Sequence, residues 1–162
     1  MPKSVAVFPG SFDPFTIGHE SIVLRGLDLF DHIIVAIGYN SSKRSLFPLE
    51  ARIRMINKVF EGNNRVSVDS YQGLTVDFCR SIHSHFIIRG LRTAADFEFE
   101  RAIAQVNRMM DKDMESVFLL TSPEFTPINS TIVRDILVHG GDAAMFLPSS
   151  INIEDYADEM NR

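Results

Sequence analysis

The chain has a single cysteine, and no apolar run in its 162 residues approaches the ~20 that a membrane-spanning helix needs. With Cys79 alone there is no internal disulfide, and such sparing use of cysteine fits a reducing, cytoplasmic compartment. The opening apolar stretch, residues 4–8 directly after Met1-Pro2-Lys3, is too short for a signal peptide and reads as a strand. Positive charge is in deficit: 16 Lys and Arg against 21 Asp and Glu leave a net charge of -5. That balance argues against wrapping a nucleic-acid backbone, though a local convergence of cations can still hold a small anion. Also missing are internal repeats, low-complexity segments, linkers, and any cluster of His, Cys and carboxylates spaced to hold a metal.

What is there is ordinary globular composition, 45% hydrophobic and 23% charged, at a length suited to one domain spanning 1–162, with residues 149–162 as a helical tail. The pattern alternates short β-rich runs with helical spacing. Strands are expected over 4–8, 32–37, 65–68, 86–88 and 116–120, the first ended by Pro9-Gly10 and the fourth by Arg89-Gly90. Helices are expected over 18–30, 49–60, 75–83, 94–110 and 130–139, the last stopped by Gly140-Gly141. The near-continuous apolar run at 32–37 suits a strand covered on both faces. Strands separated by helices of this length imply βαβ units and a doubly wound, parallel five-stranded α/β sheet. Cys79 reads as a small buried hydrophobe, Met109-Met110 as packing surface or subunit contact, and the acidic stretch 154–159 as a solvated helix face.

In an open α/β sheet, ligands bind beyond the carboxyl ends of the strands. Here those ends carry Gly10-Ser11-Phe12-Asp13-Pro14 with Thr16-Ile17-Gly18-His19, then Lys43-Arg44, Thr75, Arg89-Gly90-Leu91-Arg92, and the segment from Ser122 to Thr131. Cations, glycines and hydroxyls thus gather on one rim of an acidic protein, which is what a phosphorylated ligand requires. Gly10 allows a tight turn, Gly18 opens a helix whose free amides can face an anion, and His19 lies in its first turn. Taken singly, each has a plainer reading. His19 could partner a backbone group, Lys43 and Arg44 could be solvated loop, and Glu100 could be helix surface. Arg92 could pair with Asp96 or Glu100, and Ser130-Thr131 could form an N-cap.

Gly10-Ser11-Phe12-Asp13-Pro14 with Thr16-Ile17-Gly18-His19 resembles the first signature of the HIGH-type nucleotidyltransferases, and Ile128-Asn129-Ser130-Thr131-Ile132-Val133-Arg134 resembles their second. Lys43, the run Ile88-Arg89-Gly90-Leu91-Arg92 and Asp96-Phe97-Glu98-Phe99-Glu100 narrow the resemblance to the bacterial phosphopantetheine adenylyltransferases, over nearly the full length. That resemblance implies a Rossmann-like fold and transfer of the adenylyl group of ATP to 4'-phosphopantetheine in coenzyme A biosynthesis. His19, Lys43 and Arg92 would be catalytic. ATP would meet Ser11, Phe12, His19, Gly90, Leu91, Arg92, Glu100, Phe125, Thr126, Pro127, Ile128, Asn129, Ser130 and Thr131. Phosphopantetheine would meet Ser11, Lys43, Thr75 and Arg89. It further implies Mg2+ bound with ATP, a homohexamer, and feedback by coenzyme A.

The chemistry agrees with those roles. A phosphate monoester, with its second pKa near ~6, is already largely dianionic at neutral pH, so no general base is needed. Alignment and charge compensation are what an enzyme must supply. The chain departs from the family pattern at Phe8, where tyrosine is common, at Ser11 for threonine, at Ile17 for a polar residue, and at Asn129 for the first serine of the second signature. The competing readings are a related enzyme with another phosphorylated acceptor, and a catalytically inactive nucleotide-binding module.

Overall fold

The computed structural model describes residues 4–161; the Met1-Pro2-Lys3 segment and residue 162, the two ends of the expected domain, lie outside the described residues. Five strands, β1 Val5–Gly10, β2 His32–Gly38, β3 Val66–Tyr71, β4 Phe86–Leu91 and β5 Glu115–Leu120, pair in parallel in the order β3-β2-β1-β4-β5. The helices α1 Ile17–Gly26, α2 Leu49–Val59, α3 Thr75–Ser81 and α4 Ala94–Met110 make the crossovers, and α5 Ser130–Val138 follows β5. This is the Rossmann-like α/β sheet that the alternation of strand and helix signals implies.

Side-chain alternation along the strands decides the two layers. Ala6, Phe8, Ile33, Val35, Ile37 and Ile88 face α1 and α2, where Ile22, Val23, Leu27 and Ile56 meet them. Val7, Ala36 and Ile87 face the other way, against Val76 and Cys79 of α3. Cys79 is fully buried, and that burial pushes its thiol up to about 11, so it packs as the small hydrophobe expected. Met109 and Met110 stand 83% and 40% exposed on α4, beside the exposed Phe97, Phe99, Ile103 and Val106.

Three strand ends run beyond the sequence reading. β3 continues past Val68 to Tyr71, opposite Gly38 of β2. Pro9 and Gly10 stay in the ladder opposite Ala36 and Ile37 of β2. Arg89, Gly90 and Leu91 likewise continue opposite Phe118, Leu119 and Leu120 of β5. Between β1 and β4, however, pairing covers only Ala6↔Phe86 and Val7↔Ile87. The two central strands therefore part after Val7 while each keeps its outer neighbour, and a crevice opens where the strand order reverses. Pro9, which brings no N–H to a ladder, sits beyond that parting.

Within the tail, Ile153–Glu159 is a 3₁₀ helix. With three residues per turn, Ile153, Tyr156 and Glu159 fall on one side. Ile153 and Tyr156 pack on the cluster of Phe47, Met55 and Leu147, Glu159 pairs with Arg54, and the other acidic side chains remain exposed. Asn161 then ties the tail to the loop before α2, through its N–H to the Leu46 carbonyl at 2.8 Å and its side chain to the Ser45 carbonyl at 3.0 Å.

Candidate active site

The crevice between β1 and β4 opens into a cavity of about 280 Å³ walled by Gly10, Ser11, Phe12, His19, Arg89, Gly90 and Arg92 on one side and by Ile128, Asn129 and Ser130 on the other. The first signature is built around a helix start. Thr16 is the N-cap of α1, with its Oγ1 accepting from the His19 N–H at 3.4 Å, while His19 Nδ1 accepts from the Thr16 N–H at 3.0 Å. This is a capping box with histidine in place of the usual Glu or Gln. His19 is thus the backbone partner of the plainer reading, and something more. Because Nδ1 accepts, the hydrogen bond assigns the ring proton to Nε2, which makes no hydrogen bond to any described residue.

Three phenylalanine rings enclose the imidazole, with centroids at 6.1 Å for Phe8, 5.1 Å for Phe12 and 5.3 Å for Phe15. That burial, with Arg89 and then Arg92 nearby, lowers the His19 pKa from 6.5 to about 3. The free protein therefore offers the cavity a neutral N–H donor throughout the physiological range. His19 is expected to show no titration between pH 5 and 8 in ¹H–¹⁵N correlation spectra, with a bare Nδ1 and a protonated Nε2; a midpoint near 6.5 would contradict this assignment. The sign for stability follows. An unfolded histidine takes up its proton below about 6.5 and the folded one only near 3, so the folded state loses stability as pH falls through that interval.

The end of β1 and the loop after it are held by their carbonyls. Arg89 Nη1 donates to the Pro9 carbonyl at 2.6 Å, Arg52 Nη1 to that of Ser11 at 2.7 Å, Arg134 Nη1 to that of Asp13 at 2.7 Å, and Ser130 Oγ to that of Pro14 at 2.9 Å. With the carbonyls taken, the N–H groups of Ser11 and Phe12, which no described residue accepts, are left for an anion. The left-handed turn sits at Phe12 (φ 46), not at Gly10. Glycine is needed at position 10 for space: a Cβ there would lie 2.8 Å from the Phe12 ring. Asp13 is 5% exposed and holds a second loop, accepting from the Leu46 and Phe47 N–H groups at 2.8 and 2.9 Å.

Arg89 and Glu100, placed by resemblance on different substrates, form one bidentate ion pair: Nε meets Oε2 at 2.9 Å and Nη2 meets Oε1 at 2.5 Å. Glu100 is 8% exposed, so it is no surface residue. Arg89 borders the first cavity and a second one, also about 280 Å³, that runs along α4 past Tyr71, Thr75, Ile103 and Asn107. Arg92 takes the alternative partner, Asp96, at 3.2 Å, and still lines the first cavity; an exposed i,i+4 pair of this kind is worth little and does not exclude a ligand. Lys43 stands apart, on a third cavity of about 650 Å³ beneath the loop before α2. Ser11 borders all three cavities.

The second signature supplies the far wall. Its N-cap is Asn129, whose side chain accepts from the Ile132 N–H at 2.9 Å, rather than Ser130 or Thr131. Asparagine caps as well as serine, which accounts for that departure from the family pattern. Thr131 Oγ1 receives Arg134 Nη2 at 3.1 Å, and Phe125 borders Gly18 at the rim. Leu91, Phe125, Thr126, Pro127 and Thr131 are not on the cavity walls. Sequence reasoning missed Arg52 altogether, saw Asp13 and Arg134 only as parts of motifs, and saw Tyr71 only as a residue that follows the third strand. The legible signal for Arg52 is an arginine on the buried stripe of α2 with Ala51, Met55 and Ile56.

A family model described as cytidylyltransferase-like matches residues 7–150. The chain is 51% identical over 92% of its length, and 97% of the relative's, to the phosphopantetheine adenylyltransferase of Flavobacterium johnsoniae. It is 45% identical to that of Bacteroides fragilis, over 91% of this chain and 98% of the relative. Among solved structures, a putative nicotinate-nucleotide adenylyltransferase from Vibrio parahaemolyticus superposes with a TM-score of 0.69 at 19% identity, over 91% of this chain and 96% of that one. A bifunctional NMN adenylyltransferase/ADP ribose pyrophosphatase from Francisella tularensis gives 0.75 at 16% identity, over 96% of this chain and half of that one; both likenesses speak to fold alone. By the close relatives and the matched model together, the chain belongs to the phosphopantetheine adenylyltransferase family of cytidylyltransferase-like proteins.

Proposed function

We propose that the chain transfers the adenylyl group of ATP to the phosphate of 4'-phosphopantetheine, releasing dephospho-coenzyme A and pyrophosphate. The observation that carries this reading is the parting of β1 and β4: it leaves a donor-lined cavity, a second cavity behind it, and Arg89 on the border of both. ATP would lie in the first cavity, with its phosphates against the Ser11 and Phe12 amides, Arg92 and Ser130. The acceptor phosphate would meet Arg89, with Lys43 reaching it from the third cavity past Ser11.

The acceptor phosphate attacks the α-phosphorus directly and pyrophosphate leaves. Charge gathers on the non-bridging oxygens in the transition state, and a neutral Nε2–H aimed there stabilises it without cost to proton balance. Arg89, locked by Glu100 and the Pro9 carbonyl, orients the nucleophile rather than searching for it. Mg2+ fits as a companion of the nucleotide. The two carboxylates on the first cavity are engaged by Arg89 and Arg92, and this ion is well served by phosphate oxygens and water. When bound, it offsets charge on the leaving pyrophosphate.

No helix among the described residues is long and apolar enough to cross a membrane, and a cytoplasmic location, one working domain and feedback by coenzyme A complete the proposal. The exposed Phe97, Phe99, Val106 and Met109 on α4 support assembly with further copies, a hexamer by family resemblance, which light scattering reads directly. The deciding assay supplies ATP, magnesium and phosphopantetheine and follows pyrophosphate, with nicotinamide mononucleotide and glycerol 3-phosphate (with CTP) as parallel acceptors. Release with phosphopantetheine alone, and dephospho-coenzyme A by mass, is the expected result. Release with another acceptor would keep the chemistry and overturn the acceptor. Folded, ATP-binding protein that releases nothing would favour an inactive nucleotide-binding module.

A further inference from the structure

Tyr71 closes β3 and Thr75 opens α3, and their hydroxyls meet at 2.7 Å. Tyr71 borders both the second and third cavities, and Thr75 borders the second. The phenol is held firmly. Its ring stacks on Phe78 at 4.8 Å and 18°, and its hydroxyl end lies so close to Gly38 that a Cβ there would stand 3.0 Å from the oxygen. Burial raises the Tyr71 pKa, against the pull of the Thr75 hydrogen bond and Arg89, so the group keeps its proton.

A donor count then points outward. Two hydroxyls carry two protons, and their mutual bond uses one. Neither oxygen has another partner among the described residues, so one O–H remains to be given to something in the cavity. The wall sets Ile87, Ile103, Ala104 and Phe118 beside a few polar groups, Asn107 and Ser116 among them, and Arg89 stands at one end. A cavity with a cation at one end, partly apolar sides and a few unspent donors suits a phosphomonoester carrying a neutral chain with carbonyl acceptors. We propose that the Tyr71–Thr75 hydroxyl pair determines acceptor specificity by donating one hydrogen bond to an amide carbonyl of the acceptor's chain. This inference rests on the transfer reaction proposed above and assigns Thr75 a partner that the family resemblance does not.

Steady-state kinetics on Tyr71→Phe, Thr75→Val, the double variant and Thr75→Ser test it, with phosphopantetheine and ATP varied in turn. Each single removal leaves one O–H without the partner that aims it and is expected to raise KM for phosphopantetheine about threefold, with kcat and the KM for ATP within about twofold. The double variant removes the donor altogether and is expected to raise that KM about tenfold, and Thr75→Ser, which keeps the hydroxyl, to recover most of the loss seen in Thr75→Val. An unchanged KM for phosphopantetheine, or an equal rise in the KM for ATP, would overturn the proposal. Should Tyr71→Phe fail to fold, Thr75→Val and Thr75→Ser carry the test alone. A parent protein that makes no dephospho-coenzyme A would remove the transfer reading and this inference with it; an active parent with unshifted variants would remove only the hydroxyl pair.

Discussion

Replacing His19 with alanine is expected to lower kcat about 10²–10³-fold while the Kd for ATP, read by calorimetry, moves only a few-fold. The loss of a single preorganised donor aimed at developing charge has this size in enzymes that depend on one. Ground-state binding suffers less, because the Ser11 and Phe12 amides, Arg92 and the α5 start remain. His19 also closes the capping box with Thr16, so alanine is expected to cost about 1 kcal/mol of stability as well. Glutamate separates the two duties. At the third helical position it can reach back to the Thr16 N–H as histidine does, restoring stability. Its carboxylate has no N–H to give where Nε2 stands, so kcat stays low. Equal losses in ATP affinity and turnover in the alanine variant, or full activity in the glutamate variant, would remove His19 from the transition state.

The second large effect is on the fold. Asp13→Ala is expected to destabilise the protein by about 3–5 kcal/mol, a fall in Tm on the order of 10–15 °C for a chain of this size. The carboxylate is buried and satisfies two backbone N–H groups, those of Leu46 and Phe47, which alanine would leave unpaired. It also faces Arg52, a 5% exposed arginine whose Nη1 holds the Ser11 carbonyl and whose charge would keep only the weaker compensation of Glu50. Asp13→Asn keeps one acceptor oxygen and is expected to cost about half as much. Because the same two bonds moor the loop that ends at α2, the alanine variant should also raise KM for phosphopantetheine through Lys43. Thermal denaturation within a few degrees of the parent would show that the two N–H groups find other partners.

Much of the site was legible because it is local. Thr16 and His19 lie three residues apart and bond across one helical turn, so the spacing itself carries the geometry. Asn129 and Ile132 repeat that relation at α5. The ends of β1 and β4 were misjudged for a related reason. Proline and glycine stop a strand when the chain is read alone, but a parallel neighbour on one side sufficed to keep Pro9-Gly10 and Arg89-Gly90 in the ladder. The 3₁₀ form of the helical tail likewise needed the apolar cluster and Arg54 that receive its one-sided spacing.

By itself the sequence determined the parallel α/β class, the strand ends that bear the chemistry, and a helix start carrying a histidine, since each follows from side-chain periodicity or from bonds within a few residues. Tertiary structure alone decided the rest. The loop carbonyls of Pro9, Ser11, Asp13 and Pro14 are held by side chains 80, 41, 121 and 116 residues away. Arg89 and Glu100, read separately as ligands of two substrates, prove to be partners. The neutral state of His19 depends on three rings and two arginines gathered from β1, its following loop, β4 and the residue after it. Burial and field at a point in space are sums over whatever packing brings there, and no local pattern in a chain encodes that sum.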